Sequence, residues 1–447
     1  MILEAHSKFP LSRAMEENLA MADNPWSNSY SAASAGAVLR NQFVAGMLND
    51  GADTRSRAHS DEMLSEDGNA YAYSHPISRS FDSSASPGWA GAQGCVAPMK
   101  IAQVAPLYES VPPRLYGGTE RVVSYLTEAL VKLGHDVTLY ASGDSETNAQ
   151  LRAMCPRSLR LDAQSVDSLA DHVYMAETVF RESAQFDIIH SHIDYIGYSF
   201  WRRMQTPHLT TLHGRLDIPN LLNLYREFND MPLVSISTRQ REPLMGANWI
   251  TTVAHGLPED LYTFRERPGD YLAFLGRISP EKRADSAIEI ARRAGIPLKI
   301  AAKVDRVDLA YFESTIKPLL DARDVEYVGE IGEDEKNEFL GNALALLFPI
   351  DWPEPFGLVM IEAMACGTPV IARRCGSVPE VMHAETGFMV DTLAEAVRAV
   401  QQVHSLSRKR CRAVFEKKFT STRMAKDYLA AYESVLRAEC ESEEAAS

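Results

Sequence analysis

The stretch ALALLFPIDWPEPFGLVMIEAMACGTPVIA, residues 343–372, has two short apolar runs on either side of a longer apolar segment. The runs at 343–348 and 369–372 are typical of buried strands in a parallel sheet. Between them a Pro-Phe-Gly turn precedes an apolar helix, which supplies the crossover that two parallel strands need. From residue 354 to residue 370, two glutamates, Glu354 and Glu362, interrupt an otherwise largely apolar segment. The stretch therefore predicts a strand-helix-strand unit that retains these two glutamates.

The same alternation continues on both sides of this stretch. From Met99 onward, short apolar runs alternate with amphipathic segments, which indicates parallel sheets with crossover helices. A Pro-containing link at residues 257–270 separates two such series. The sequence thus predicts an α/β protein with two doubly wound domains. The expected strands lie at residues 100–104, 137–141, 186–191, 208–212, 233–236 and 249–253, then at 271–275, 298–302, 325–328, 343–348 and 369–372.

Helical periodicity marks the beginning and the end of the folded part of the chain. Residues 118–132 carry apolar side chains at helical spacing, and the glycine of KLGHD follows as expected at a helix end. A last amphipathic helix is expected at 422–439, packed back across the first domain. The predicted units are residues 99–257, residues 258–415 and a closing helix within 416–447.

Residues 1–98 differ in composition from the rest of the chain. Ser, Ala, Asn, Asp and Gly dominate, as in SNSYSAASAGA, and no helical or strand periodicity persists. Such a segment buries too little apolar surface to offset the entropy lost on ordering. We therefore predict a disordered tail and a folded protein that starts at Met99.

Composition limits the classes of partner. The 447 residues are 45% apolar, which suits two globular domains. With 60 acidic against 45 basic residues the net charge is -15, which argues against nucleic acid as a partner. Six cysteines without C-x-x-C spacing favour a reduced, cytoplasmic chain with no zinc site. No run approaches the roughly 18 apolar residues of a transmembrane helix, although the basic run at 408–418 leaves peripheral contact with anionic lipid open.

Two motifs that follow predicted strands suit the binding of an anion. In YGGTE, Gly117 and Gly118 precede a helix, so backbone N–H groups can approach a ligand, although a simple turn explains the glycines equally well. In FLGRISPEKR, Arg277 and Lys282 flank Pro280 and can face one diphosphate, with charge-assisted hydrogen bonds of roughly 1.5 to 3 kcal/mol each. A solvated charged turn is the alternative, and the second motif by itself favours that alternative.

The two glutamates of the opening stretch need partners, because an unpaired buried charge is costly. A ribose diol on Glu362 and a hexose hydroxyl on Glu354 would satisfy both acids in one crevice. An internal ion pair between Glu362 and a basic side chain explains that residue equally well. The helix start would add free backbone N–H groups, from Phe356, Gly357 and Leu358.

The motifs YGGTE, TLHG, GRISPEK and EPFGLVMIE, in this order, resemble those of the retaining glycosyltransferases of family 4, which have the GT-B fold of two Rossmann-like domains around a central cleft. The resemblance covers residues 99–439, and its most specific part is the E-x7-E spacing from Glu354 to Glu362. It implies transfer of a hexose from a nucleotide-diphosphate sugar to a hydroxyl of a small molecule or glycan, without a metal cofactor. Residues 99–257 would bind the acceptor and residues 258–415 the donor.

The resemblance also implies a role for each site residue. Arg277 and Lys282 would neutralise the donor diphosphate, and His213 would lie over the anomeric centre. Glu362 would bind the ribose and Glu354 the transferred sugar. The amides of the helix start would bind sugar or phosphate oxygens, at Phe356, Gly357 and Leu358, and the glycine pair would admit the diphosphate, at Gly117 and Gly118.

Three positions are less typical of the family or less certain. His255 stands where many relatives carry asparagine, and Arg283 replaces a common glycine after the phosphate-binding lysine. Of His190 and His192 at the strand end HSHID, we expect one to pack inside and the other to line the acceptor cleft, with His192 assigned to the acceptor side.

Other functions fit the motifs less completely. A glycosidase also uses two carboxylates, but it has no need of paired cations or a nucleotide. A dehydrogenase would carry G-x-G-x-x-G, which the first strand-helix turn lacks. A phosphorylase or a sugar-nucleotide epimerase on the same fold stays a close alternative. A non-catalytic nucleotide-sugar-binding protein is a further alternative, although it would not need both His213 and Glu354.

Overall fold

The computed structural model describes residues 97–162, 165–321 and 323–446, with the side chains up to residue 441. Almost all of the segment predicted as a disordered tail, residues 1–98, therefore lies outside the described residues. The strands of the N-terminal half are β1 (Lys100–Val104), β2 (Asp136–Ser142), β3 (Gln150–Cys155), β4 (Ile188–Ser191), β5 (His208–Thr211), β6 (Leu233–Ser235) and β7 (Trp249–Thr252). Its helices are α1 (Gly118–Lys132), α2 (Ser168–Glu182), α3 (Tyr198–Trp201) and α4 (Pro219–Glu227).

The N-terminal strands form one parallel sheet in the order β3-β2-β1-β4-β5-β6-β7. The order reverses between β1 and β4, so a crevice opens beyond their carboxyl ends. The inner strands are apolar on both faces because helices cover both sides of the sheet. Ile101, Val104, Leu139 and Ile189, for example, are completely buried.

The C-terminal half has the same architecture. Its strands are β8 (Tyr271–Ile278), β9 (Leu298–Val304), β10 (Val325–Gly329), β11 (Ala343–Phe348), β12 (Val370–Arg373) and β13 (Gly387–Val390), in the parallel order β10-β9-β8-β11-β12-β13. Its helices are α5 (Ala284–Ala294), α6 (Leu309–Tyr311), α7 (Glu333–Gly341), α8 (Leu358–Cys366), α9 (Val378–Val381), α10 (Leu393–Gln402) and α11 (Arg408–Lys418). The strand order reverses between β8 and β11, where the second crevice opens.

The last helix, α12 (Ser421–Ala446), returns to the N-terminal domain and packs on α1, β5 and β7. The two places where the chain crosses between domains lie side by side. The amide of Leu257 donates to the carbonyl of Phe419 at 2.9 Å, and the amide of Ser421 donates to the carbonyl of Leu257 at 2.7 Å. A β-carbon on Gly256 would lie 2.2 Å from the carbonyl oxygen of Thr420, so this close approach requires glycine.

The predicted fold class is confirmed: two doubly wound parallel sheets face each other. The predicted bounds of β1, α1 and β11 agree with the structure. Two strands, β3 and β13, were not predicted. Both lie at sheet edges, where a strand is short and mixed in composition, as in QLRAMC and GFMV.

Candidate active site

Segments that follow strands in one domain contact the corresponding segments of the other domain. Ser237, after β6, donates from Oγ to the carbonyl of Pro355, after β11, at 2.6 Å. The ring of His255, after β7, lies 4.8 Å from the ring of Phe356 in an edge-on arrangement. Ligands of open parallel sheets bind at this edge. The crevice between the domains is therefore the candidate active site.

Glu354 and Lys282 form an ion pair in this crevice. The same carboxylate oxygen accepts a hydrogen bond from Trp352 Nε1 at 3.0 Å, and Lys282 Nζ lies 4.7 Å from the centroid of the Trp352 ring. Glu354 is 9% exposed, so the lysine supplies the partner that a nearly buried carboxylate needs. A ligand diphosphate could take Lys282 from this pair and release the carboxylate to a sugar hydroxyl.

The turn from Glu354 to Leu358 is held from behind by serines. Ser377 Oγ donates to the carbonyl of Phe356 at 2.8 Å, while Ser237 holds the carbonyl of Pro355. Because C=O and N–H of a trans peptide point in opposite directions, the amides of Phe356 and Gly357 face away from these serines. Gly357 has φ 83°, which glycine adopts without strain, and it precedes the first turn of α8. First-turn amides have no intrahelical acceptor, so the turn presents several N–H donors.

Glu362, one turn into α8, is 1% exposed and is paired on one side only. Lys336 Nζ of α7 lies 2.9 Å from its Oε1. Oε2 is buried and has no hydrogen-bond partner among the described residues. Burial lowers the pKa of Lys336, and the carboxylate of Glu362 opposes that effect. Of the two interpretations from the sequence, the internal ion pair is present, and one oxygen is still left for a hydroxyl donor.

Arg277 lies inside β8, because this strand extends three residues beyond the predicted end. It is 7% exposed and contacts three carboxylates, with Glu281 at 2.6 Å, Asp305 at 3.4 Å and Asp308 at 3.6 Å. Burial raises the pKa of Asp308 to about 6. The guanidinium is thus held in place by three acids, and a bound diphosphate would share it with them.

The two glycines that precede α1 have different surroundings. A β-carbon on Gly117 would lie 2.7 Å from Pro113 Cβ, so packing requires glycine there, as the turn alternative predicted. A β-carbon on Gly118 would meet only Leu358 Cδ1 of the other domain, at 3.9 Å. Gly118 begins α1 and Leu358 begins α8, so the N-termini of these two helices converge across the crevice.

Four histidines form a buried row at the carboxyl ends of β4, β5 and β7. His190 and His192 have ring centroids 4.0 Å apart, His192 Nδ1 lies 2.9 Å from His213 Nε2, and His213 stacks on His255 at 5.4 Å. Burial lowers the pKa of His213 to about 3, and it lowers the pKa of the other three well below the usual value. All four rings are therefore neutral at pH 7.

The structure corrects the expectation for the pair in HSHID. His190 and His192 are 0% and 2% exposed, and both rings are bonded at both nitrogens. Residues two positions apart on a strand share a face, which explains why the rings are adjacent rather than opposed. His192 therefore lies behind His213 and does not line the cleft.

Arg283 has φ 56° and ψ 50°, a left-handed conformation that glycine adopts most easily. This conformation fits the glycine that the family resemblance led us to expect at the position. Here the guanidinium forms a fork with Asp285, with Nη2 at 2.9 Å and Nε at 3.0 Å from carboxylate oxygens. The ion pair offsets part of the backbone cost.

Sequence reasoning missed three residues that support the site: Lys336, Ser377 and Gln103. Lys336 lies in a charged helix that gives no local signal. Ser377 follows Gly376, whose hypothetical β-carbon would lie 2.3 Å from the amide nitrogen of Glu354. The glycine-serine pair after β12 was the sequence signal that could have identified Ser377, since positions that follow strands line ligand crevices.

The part of the chain that the structure describes contains neither a candidate membrane-spanning helix nor a candidate metal-binding cluster. Between residues 97 and 446 no helix combines the length and the apolar character needed to cross a membrane. Over the same residues no group of three or more His, Cys, Asp or Glu side chains is arranged to bind a metal ion.

Comparison with known proteins agrees with the geometry of the site. Residues 116–267 match the family model "Glycosyltransferase Family 4", and residues 265–417 match "Glycosyl transferases group 1". The chain is 26% identical over 399 residues to glycogen synthase of Mycobacterium tuberculosis. The match covers 74% of this chain and 95% of the synthase. It is 27% identical over 369 residues to N-acetyl-alpha-D-glucosaminyl L-malate synthase of Bacillus anthracis, with 72% and 95% covered.

Solved structures share the fold. The crystal structure of Anabaena Alr3699/HepE in complex with UDP and glucose has a TM-score of 0.59 and 17% identity, and the match covers 75% of this chain and all of that one. The two family models, the named relatives and the facing parallel sheets together show that this chain is a glycosyltransferase with the GT-B fold.

Proposed function

We propose that the chain is a retaining glycosyltransferase of family 4 that transfers a hexose from a nucleotide-diphosphate sugar to an acceptor hydroxyl. The observation that carries the proposal is the convergence of the N-termini of α1 and α8 at Gly118 and Leu358. Helix N-termini favour anions through their free amides and their dipoles. Two of them at one place, with Lys282 near the same turn, suit a diphosphate.

The free oxygen of Glu362 supports a nucleoside as the other part of the donor. An ionised carboxylate can only accept hydrogen bonds, so its unpaired oxygen needs a donor such as a ribose hydroxyl. Lys336, 2.9 Å from the other oxygen, holds the carboxylate of Glu362 in place. Alr3699/HepE, which shares the fold, binds UDP and glucose, which is consistent with this class of donor.

Donor binding would rearrange the ion pair between Lys282 and Glu354. The lysine moves to the diphosphate, and the released carboxylate accepts a hydrogen bond from the hexose. Arg277, the lysine and the free amides of Phe356 and Gly357 then stabilise the charge that grows on the leaving phosphate. Donors that are already oriented stabilise such charge without reorganisation.

The transfer itself would follow front-face attack. The acceptor hydroxyl attacks the anomeric carbon on the side that the diphosphate leaves, and a departing phosphate oxygen takes the hydroxyl proton. The sugar therefore keeps its configuration. His213 lies beside the anomeric centre, and closure of the domains excludes water from the oxocarbenium-like carbon. Fixed cations replace a metal ion in this scheme, and the cytoplasm stays the expected location.

A thermal-shift screen of UDP-, GDP- and ADP-sugars tests the donor class. A ligand that binds only the folded chain raises the melting temperature, and the ranking identifies the base. The proposal is wrong if no nucleotide-diphosphate sugar binds at millimolar concentration. NMR of the product then reports the anomeric configuration, and an inverted centre contradicts retention. Activity that is lost with a chelator and restored by a divalent cation contradicts the metal-free scheme.

Two further assays separate the alternatives. If the protein is an epimerase, incubation with the donor alone would yield an epimerised sugar. If it is a phosphorylase, incubation with the donor and phosphate would yield a sugar phosphate. Glu354→Gln keeps the size of the side chain and should abolish transfer while the chain still binds UDP. A variant with normal turnover would remove Glu354 from the mechanism. A wild-type chain that binds donor but transfers to no acceptor would favour the binding-protein alternative.

A further inference from the structure

A hydrogen-bonded row runs from β1 to the histidine at the active site. Gln103 of β1 is completely buried. Its Oε1 lies 2.8 Å from His192 Nε2, and His192 Nδ1 lies 2.9 Å from His213 Nε2. Gln103 Nε2 donates to the hydroxyl of Tyr432, on α12, at 3.0 Å. A carboxamide on a central strand thus contacts both the closing helix and the row of histidines.

The chemistry of these groups determines which nitrogens carry protons. An amide oxygen can only accept, so the hydrogen between Gln103 and His192 belongs to His192 Nε2. A neutral imidazole has one N–H, so His192 Nδ1 is an acceptor and His213 Nε2 must donate to it. His213 is neutral too, which leaves its Nδ1 without a proton.

The remaining contacts agree with this proton order. The Tyr432 hydroxyl accepts from Gln103 Nε2 and donates to His190 Nδ1 at 2.8 Å. His190 Nε2 then donates to Thr211 Oγ1 at 2.7 Å. The atoms that face one another in these contacts therefore pair a donor with an acceptor, as buried polar groups require.

Two ring nitrogens lie outside this network. His213 Nδ1 and His255 Nδ1 are both buried and have no partner among the residues described. The ring of His213 stacks on His255, which in turn contacts Phe356 of the donor-side turn. An unpaired lone pair therefore lies at the boundary between the domains, where a substrate hydroxyl could donate to it.

We propose that Gln103 is a positioning residue that acts through His192 to hold His213 in the tautomer with hydrogen on Nε2. Nδ1 is then always an acceptor, and it selects a hydroxyl of the bound substrate as its partner. The opposite tautomer would place an N–H donor at Nδ1. A substrate hydroxyl would then have to accept a hydrogen bond at this place instead of donating one. The second part of this inference rests on the proposed function, whereas the tautomer does not.

Nitrogen-15 NMR of the full chain with labelled histidine tests the tautomer directly. Two-bond couplings between ring protons and nitrogens distinguish a protonated from an unprotonated nitrogen, and His213→Asn identifies the signal. We expect His213 with an unprotonated Nδ1 and a protonated Nε2. A protonated Nδ1 in the unsubstituted chain overturns the proposal, whatever the activity.

Three variants test the role of the amide. Gln103→Met keeps the volume but removes the acceptor, so His213 should populate both tautomers and kcat/KM should fall about tenfold, the effect of one lost hydrogen bond. Gln103→Glu, protonated in this buried place, restores an oxygen acceptor and should restore the tautomer. Tyr432→Phe removes the buried hydroxyl that Gln103 Nε2 contacts, but it leaves the contact between Gln103 and His192. This variant should therefore keep the His213 tautomer.

The outcomes distinguish the two parts of the inference. An unchanged His213 tautomer in Gln103→Met shows that the glutamine has no positioning role. A changed tautomer with unchanged kcat/KM shows that the orientation of His213 does not matter for transfer. If the tautomer is as expected but no nucleotide-diphosphate sugar binds, only the proposed function fails.

Discussion

Lys336 donates to one carboxylate oxygen of Glu362 at 2.9 Å and leaves the other oxygen buried without a partner among the described residues. An ion pair inside the protein would normally bond both oxygens. The free oxygen could accept a hydrogen bond from the ribose hydroxyl of the proposed donor.

Glu362→Gln should weaken UDP binding roughly 10- to 100-fold, the equivalent of a charge-assisted hydrogen bond of 1.5 to 3 kcal/mol. It should also lower the melting temperature, because Lys336 loses the nearer of its two counter-charges and keeps only Glu333 at 3.4 Å. Isothermal titration calorimetry measures the affinity. Glu338→Gln is the matched control, because its carboxylate is 75% exposed and lies on the same helix as Lys336. Unchanged UDP affinity in Glu362→Gln would remove it from the donor site.

Lys282→Met should weaken binding of UDP much more than binding of uridine, because only UDP carries the phosphates that the lysine would contact under the proposed function. A variant that lowers both affinities equally would show that the lysine only orders the turn. Lys317→Met is a control, because its ammonium is 56% exposed and pairs with Glu313 on the surface. The salt dependence of UDP affinity should also decrease in Lys282→Met, since one screened charge is removed.

The left-handed backbone at Arg283 predicts an unusual order of stabilities. Arg283→Ala and Arg283→Gly both lose the fork with Asp285, but only alanine keeps the unfavourable conformation at φ 56°. We expect the glycine variant to be about 1 kcal/mol more stable than the alanine variant. Urea unfolding measures this difference. Equal stabilities would show that the backbone relaxes at this position.

The buried histidines predict that acid destabilises the chain. The folded pKa of His213 is about 3, and those of His190, His192 and His255 are well below 6.5. Between these values and pH 6.5 the unfolded chain binds protons that the folded chain does not. The free energy of unfolding therefore falls on acidification, by about 1.4 kcal/mol per pH unit for each such histidine.

Removal of one histidine should make this dependence less steep. His255→Asn removes one imidazole, and the variant should lose about 2 kcal/mol less stability than the wild type between pH 7 and pH 5. Urea unfolding at both pH values measures this difference between variant and wild type. The carboxyl groups titrate alike in both proteins, so their contribution cancels. His404→Asn, at an exposed position, is the control. Identical slopes in His255→Asn and the wild type would contradict the prediction.

The sequence predicted those features that depend on local patterns. The bounds of α1 and β1 follow from apolar periodicity and a terminal glycine, and the motif positions 354–358 follow from the rule that ligands bind after strands. Edge strand β3 was missed because only one face of it packs, so its composition resembles a loop. Local signals therefore identified the fold and the segments that lie at the crevice between the domains.

Contacts between distant residues could not be predicted in the same way. Lys336 and Glu362 are 26 residues apart, and Gln103 and His192 are 89 residues apart. Such pairs depend on how the helices and strands are arranged in space. The conformation of Arg283 was not predicted either, because an arginine gives no sign of a positive φ; only the glycine of relatives does.

The return of α12 to the N-terminal domain has a consequence for where the chain can be cut. Tyr432 is fully buried against β1, and Tyr428 bonds Thr211 of β5, so the first domain is completed by a helix that follows the whole second domain in sequence. A premature stop codon after Lys418 would spare every donor-side motif. It would nevertheless unfold the opposite domain, more than 150 residues upstream in sequence.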